Sequence, residues 1–284
     1  MSSTASPRGR IAGSARSPGI IVRNAALRTG VRLEYAERGS GLDVLFLHGL
    51  TDSWRSFEPA LQRLPAGVRG IALSHRGHGD SDRPDSDYRI EAFAEDVVAF
   101  LDALRLAKVA LVGHSMGSLI AQRVAIAHPE RLACLVLVGS ARTFDLPHLE
   151  EFGRAVGELR DPVPRSFAHD FQASSIHRGI PEALLETMVD QSMKVPARVW
   201  RDSLRAVFAY SSGEGLRTIR VPTLIMAGEH DDIGTPDEQR RLAEQIPRSR
   251  LIVYPGVGHT PQWEDPERFV DDVVAFVRAA PSSY

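Results

Sequence analysis

Short, almost wholly apolar runs separated by longer amphipathic stretches constrain this chain more than any other feature. The runs are Val44–Leu47, Gly70–Leu73, Val109–Val112, Leu135–Val138, Thr223–Met226 and Arg250–Tyr254. Runs of this kind fit strands buried on both faces of a parallel sheet. Between them lie stretches with apolar residues at helical spacing. Ile90–Leu104 carries Ile90, Phe93, Val97, Phe100, Leu101 and Leu104, and Leu119–Ala127 stops before Pro129. Pro266–Arg278 carries Phe269, Val270, Val273, Val274 and Phe276. Upstream, Ile20–Leu27 and Val31–Ala36 read as a hairpin around Thr29-Gly30. The order predicts an α/β fold: a mostly parallel, twisted sheet of about eight strands with helices on both faces.

The alternation breaks from Arg142 to Gly215, where no apolar strand occurs. Helical patterns over Pro181–Met193 and Pro196–Tyr210 make this an inserted helical lid. The expected organisation is a disordered tail over 1–19, a first core part over 20–140, a lid over 141–215 and a second core part over 216–284. With 284 residues, 43% hydrophobic, the chain has enough apolar surface for one large domain with an insertion. Residues 1–18 are rich in Ser, Ala, Arg and Gly and lack the apolar segment of a secretory signal. No stretch approaches the roughly 18 apolar residues of a membrane span, so no membrane partner is expected. A formal net charge of −2 gives no basic excess for nucleic acid. The single cysteine, Cys134, lies in an apolar run and reads as a core residue. One cysteine forms no internal disulfide, which fits a cytoplasmic protein.

The sharpest chemical signal is Gly113-His114-Ser115-Met116-Gly117, placed between the strand at Val109–Val112 and a helix. A bare G-x-S-x-G arises by chance in about one chain in ten of this length. The strand before it and helix after it make it specific. A tight strand–turn–helix connection strains its central residue and presents the Ser115 hydroxyl at the carboxyl edge of the sheet. Serine needs a base within hydrogen-bond reach. Of the ten histidines, His259 stands in a glycine-flanked loop after the last strand and is the best base. His114 neighbours the nucleophile but points away from it in a tight turn. His75 and His78 have a spacing that suggests metal ligands, yet no further ligand stands at a telling distance, and no metal or other cofactor is expected. The base needs a carboxylate to fix its tautomer. Asp231 follows the strand Thr223–Met226 and leads, with Glu229 and Asp232 as competitors in the same loop. The developing oxyanion needs aimed donors, and the N–H groups of Met116 and Leu50 are expected to supply them.

With these residues in place, the chain resembles the α/β-hydrolase superfamily from about Ile20 to its end. The resemblance rests on His48-Gly49, Arg76-Gly77-His78-Gly79-Asp80-Ser81, the Gly113–Gly117 elbow, Gly228-x-x-Asp231, and Gly258-His259 followed by Trp263-Glu264-Asp265-Pro266 and Phe269. The order Ser, Asp, His is that family's order. The resemblance implies Ser115 as nucleophile, Asp231 as acid and His259 as base. One departure stands out: family members often carry Asp two residues before the arginine, where this chain has Ser74.

A serine nucleophile argues against the dehalogenase and epoxide-hydrolase branches, which use Asp. The leading expectation is hydrolysis of a small carboxylic ester or lactone through an acyl-enzyme. The alternatives are C–C cleavage of a ring-cleavage diketone acid and a weakly catalytic ligand-binding or signalling protein. The C–C reading needs a lid cation for the substrate carboxylate, with Arg198 and Arg201 as candidates. His114, Trp200 and Phe144 are the expected substrate-contacting residues, among lid-region aromatics that also include Phe167, Phe171 and Phe208.

Overall fold

The computed structural model describes residues 19–280. The tail expected at 1–19 therefore lies, except for Gly19, outside the described residues. The strands are β1 (Ile21–Ala26), β2 (Arg32–Gly39), β3 (Gly41–Leu47), β4 (Gly67–Leu73), β5 (Val109–His114), β6 (Leu132–Val138), β7 (Thr223–Gly228) and β8 (Ser249–Tyr254). The helices are α1 (Glu58–Arg63), α2 (Ile90–Ala103), α3 (Met116–Ala127), α4 (Glu150–Glu158), α5 (Arg165–Ser174), α6 (Glu182–Met193), α7 (Ala197–Ala209), α8 (Pro236–Gln245), α9 (Pro261–Glu264) and α10 (Pro266–Ala279). The strands form one sheet in the order β1-β2-β4-β3-β5-β6-β7-β8. β2 pairs antiparallel with both β1 and β4, and every pair from β4 onward is parallel.

Strand alternation divides the core in two. In β3, Leu45 and Leu47 join the layer packed with Phe93, Val97 and Leu119 of α2 and α3. Val44 and Phe46 join the opposite layer, with Leu61 of α1 and Phe269 and Val273 of α10. Successive side chains of a strand point to opposite faces, so a run apolar at every position needs helices on both sides. Cys134 lies in the second layer, and burial pushes its thiol up to about 12, as fits an inert core residue. Thr235 opens α8 by accepting the Glu238 N–H, with Pro236 at the first position. Between β6 and β7 the chain forms α4 to α7 and no strand.

The segment before α2 explains the departure at Ser74. Its hydroxyl donates to Glu34 Oε2 at 3.0 Å and accepts the Trp54 N–H at 3.2 Å. The same Glu34 oxygen accepts the Asp80 N–H. The carboxylate at this junction thus comes from β2, the strand paired with β4. Arg76, in the next turn, is buried and clamped by both oxygens of Asp96 at 2.6 and 2.8 Å. Below these lie His48, His75 and His78, all fully buried. His48 Nε2 accepts the His75 N–H at 3.0 Å. Both ring nitrogens of His75, and Nε2 of His78, have no partner among the described residues.

Two predictions follow from this junction. Ser74→Asp places a second carboxylate against Glu34 and costs about 1–3 kcal/mol in urea unfolding, while adding Glu34→Gln recovers most of it. An equally stable Ser74→Asp protein contradicts the assignment. Burial holds all three histidines below the usual histidine range, with His78 down to about 4. The folded protein refuses a proton that the unfolded chain takes up below about pH 6.5, so each group's stabilising contribution is complete above that pH and falls as pH drops, by at most about 1.4 kcal/mol per unit. His75→Phe should shrink the stability difference between about pH 8 and about pH 5 by about 1–2 kcal/mol. An unchanged difference means that His75 is not held neutral.

Candidate active site

The carboxyl ends of β3, β5, β7 and β8 open on one edge of the sheet. β5 ends at His114, and Ser115 follows at φ 52°, ψ −120° before α3 begins. A positive φ strains a residue with a Cβ. Ser115 N–H donates to Val138 O at the end of β6, which fixes the turn. The flanking glycines are required by contact. A Cβ on Gly113 would lie 2.3 Å from Gly117 O, and one on Gly117 would lie 2.3 Å from Leu47 O. The elbow thus rests against the end of β3, beside Gly49.

His259 follows β8. Its Nδ1 lies 2.9 Å from both Oδ1 and Oδ2 of Asp231. A carboxylate accepts, so Nδ1 carries the proton and Nε2 is the free base atom. Asp231 is buried and itself well held: Oδ1 accepts the N–H groups of Ile233 and Gly234, and Gln239 Nε2 donates to Oδ2. Its competitors are elsewhere: Asp232 is exposed, and Glu229, also exposed, accepts the Gly256 N–H. His259 Nε2 makes no hydrogen bond among the described residues, so the Ser115 hydroxyl does not donate to it here. In unliganded sites this bond is commonly long or misaligned and tightens with substrate.

Ser115 and His259 line a cavity of about 160 Å³ together with Gly49, Leu50, Asp52 and Met116. Neither Leu50 nor Met116 N–H donates a hydrogen bond within the described residues. Met116 is the first residue of α3, where amides have no intrahelical acceptor. The helical insertion closes the cavity with Phe144, Phe152, Phe171, Leu204 and Val207. No arginine or lysine is among the lining residues.

The expected substrate contacts divide. Phe144 lines the cavity, and so does His114, whose Nε2 bonds His259 O at 3.0 Å and whose ring packs 4.8 Å from that of His259. Burial holds His114 well below the usual histidine range, so the ring is neutral. Trp200 does not line the cavity. It is fully buried behind the wall, edge-on to Phe167 and Phe171, with Nε1 directed at Ser192 O. A large aromatic on the inward face of α7 is taken up in packing the helices together. Arg198 and Arg201 also stay outside, tied to backbone oxygens of Pro84, Arg83 and Leu159.

Asp52, Gln172 and Trp263 are among the lining residues that the sequence reading did not assign to the site. Asp52, in the loop after β3, is buried, and burial raises its carboxyl to about 6 despite hydrogen bonding from Gln172. Gln172 of α5 donates to its Oδ1 at 2.9 Å. Trp263 donates to Ser56 O at 2.8 Å and faces the cavity from α9. A carboxylate two residues beyond Leu50 in a largely buried loop was a usable signal for Asp52. Nothing local marks Gln172.

The chain is similar in sequence and fold to known proteins. Residues 44–272 match the family described as "Alpha/beta hydrolase family". The 2-hydroxymuconate semialdehyde hydrolase of Pseudomonas sp. (strain CF600) is 29% identical over 273 residues, 89% of this chain and 93% of that protein. An esterase from Exiguobacterium antarcticum superposes with a TM-score of 0.84 at 26% identity, covering 91% of this chain and 100% of its own. The esterase RhEst1 from Rhodococcus sp. ECU1013 gives 0.79 at 28% identity, covering 92% and 99%. With its mostly parallel sheet, its serine elbow and a match that runs through most of its length, the chain belongs to the α/β-hydrolase family.

Proposed function

We propose that this protein hydrolyses small, uncharged carboxylic esters or lactones through an acyl-enzyme on Ser115. The observation that carries this reading is the cavity itself: Ser115 and the free Nε2 of His259 meet in a largely apolar space whose lining holds no cation. His259 takes the Ser115 proton as the hydroxyl attacks the carbonyl carbon, and Asp231 stabilises the imidazolium that forms. The N–H groups of Leu50 and Met116 receive the developing oxyanion. The imidazolium gives its proton to the departing alkoxide. A water, deprotonated by His259, then attacks the acyl carbon and frees Ser115.

The C–C cleavage reading fits less well. A diketone acid brings a carboxylate into the site, and burying one without a partner is costly. Arg198 and Arg201 are engaged elsewhere, and Asp52 is the lining carboxyl group such a substrate meets. The residues of 141–215 act as a lid that sets substrate size. Leu204 and Phe208 line both the cavity and an outer groove between α4 and α7. The Phe208 ring abuts α4 where a Cβ on Gly153 would lie 2.7 Å from it.

Two experiments test this reading. The wild type should turn over p-nitrophenyl acetate and butyrate, with Ser115→Ala losing at least about 10³-fold in kcat. A Ser115→Ala enzyme of near-full activity excludes the mechanism, and a wild type that cleaves only a diketone acid favours the C–C reading. Phe208→Ala should open the cavity toward the groove and raise kcat/KM for octanoate relative to butyrate by about tenfold. An unchanged chain-length preference places the specificity wall elsewhere.

A further inference from the structure

The loop that follows β3 carries more polar structure than an oxyanion donor needs. Leu50 is followed by Thr51 at φ 62°, a backbone region that a β-branched residue rarely occupies. Strain of this kind persists only where the surroundings hold it. The holding contacts come from the helical insertion. Thr51 Oγ1 shares a hydrogen bond with Ser192 Oγ of α6 at 2.9 Å. Gln172 Nε2 of α5 donates to that same Ser192 Oγ at 2.8 Å and to Asp52 Oδ1 at 2.9 Å. Thr51, Asp52, Gln172 and Ser192 are all buried. They form a closed polar latch between the oxyanion loop and two helices far away in sequence.

The same turn of α5 grips the other catalytic loop. The His259 N–H donates to Ser175 O at 2.9 Å, and the Ser175 hydroxyl donates back to Gln172 O at 2.7 Å. Just beyond, Glu264 accepts the N–H groups of His177 and Arg178 on one oxygen and that of Gly258 on the other. One short segment of the insertion, Gln172 to Arg178, therefore touches the loop of the oxyanion donor at one end and the loop of the general base at the other.

We infer that Asp52 and Gln172 are positioning residues for the reaction, the turn Gln172–Ser175 being a strut that sets the Leu50 amide and His259 relative to each other. The inference rests on the ester or lactone hydrolase reading above. The buried carboxyl group is there to anchor the strut and touches no reacting atom. The insertion thus does more than cover the cavity: it holds the oxyanion donor in place.

The test compares wild type, Gln172→Met, Asp52→Ala and the double variant on p-nitrophenyl butyrate. kcat is expressed per site titrated with a fluorophosphonate, so that misfolded protein is not counted. Gln172→Met keeps the length and apolar bulk of the side chain, and it carries the test alone if Asp52→Ala yields little folded protein. Misaiming a catalytic donor by about 1 Å costs about 10²-fold, so each single variant should lose about 30- to 100-fold in kcat with KM within about threefold of wild type. Since the two residues act through one latch, the double variant should be no slower than the worse single variant. The inference is overturned if kcat per titrated site stays within about twofold, if the loss falls on KM, or if the losses multiply in the double variant. A wild type that neither titrates nor hydrolyses butyrate removes the hydrolase reading and this inference with it. A wild type that does both, with unaffected variants, removes the inference alone.

Discussion

Ser115 holds a backbone conformation, φ 52° and ψ −120°, that costs a residue with a Cβ of the order of 1–3 kcal/mol. It is kept there because both flanks are fixed. β5 lies buried between β3 and β6, and α3 is buried along most of its length. The register that pairs Leu47 with Gly113 sets the end of β3 beside the elbow. A Cβ on Gly49 would lie 3.3 Å from that of Ser115. The register that pairs Gly228 with Tyr254 brings the loops of Asp231 and His259 together. The site is thus a consequence of strand order: parallel strands of one sheet deliver Ser115, the Leu50 amide, Asp231 and His259 to one edge.

Local chemistry recorded in the sequence was legible where the physics is local. Apolar runs announced the strands, and the strand–turn–helix context singled out Ser115. The loop after β7 offered Asp231, Glu229 and Asp232 alike, with Asp231 leading on the family's Gly-x-x-Asp pattern, and the structure adds the reason: Asp231 is the one that is buried and pointed at His259. Interactions between distant segments were not legible. Asp52 and Gln172 are 120 positions apart, and no pattern along the chain couples them. Trp200 is a lid-region aromatic like Phe144, yet only the folded chain shows that one is packed behind the wall and the other lines it. Glu34 standing near Ser74 is the same kind of case: the carboxylate of that junction sits on another strand, 40 positions away.

The proposed substrate class rests on electrostatics rather than on the family. A triad serves esters, lactones and C–C bonds alike, so the discriminating feature is what surrounds it. An apolar wall with no arginine or lysine gives a charged substrate nothing to set against its desolvation. An uncharged acyl group needs no such partner, since burial of its apolar surface supplies the binding. The lining groups that titrate also fit this role. His114 stays neutral, and the Asp52 carboxyl is held by Gln172.

The proposed hydrolysis depends on Ser115 being the nucleophile that His259 activates. The most direct measurement is treatment of the full chain with a fluorophosphonate, followed by peptide mass spectrometry, on wild type and His259→Ala. One stoichiometric adduct is expected on the peptide containing Ser115, formed at least about 10³-fold more slowly without the imidazole. An adduct on any other residue, or equal labelling rates in the two proteins, would contradict it.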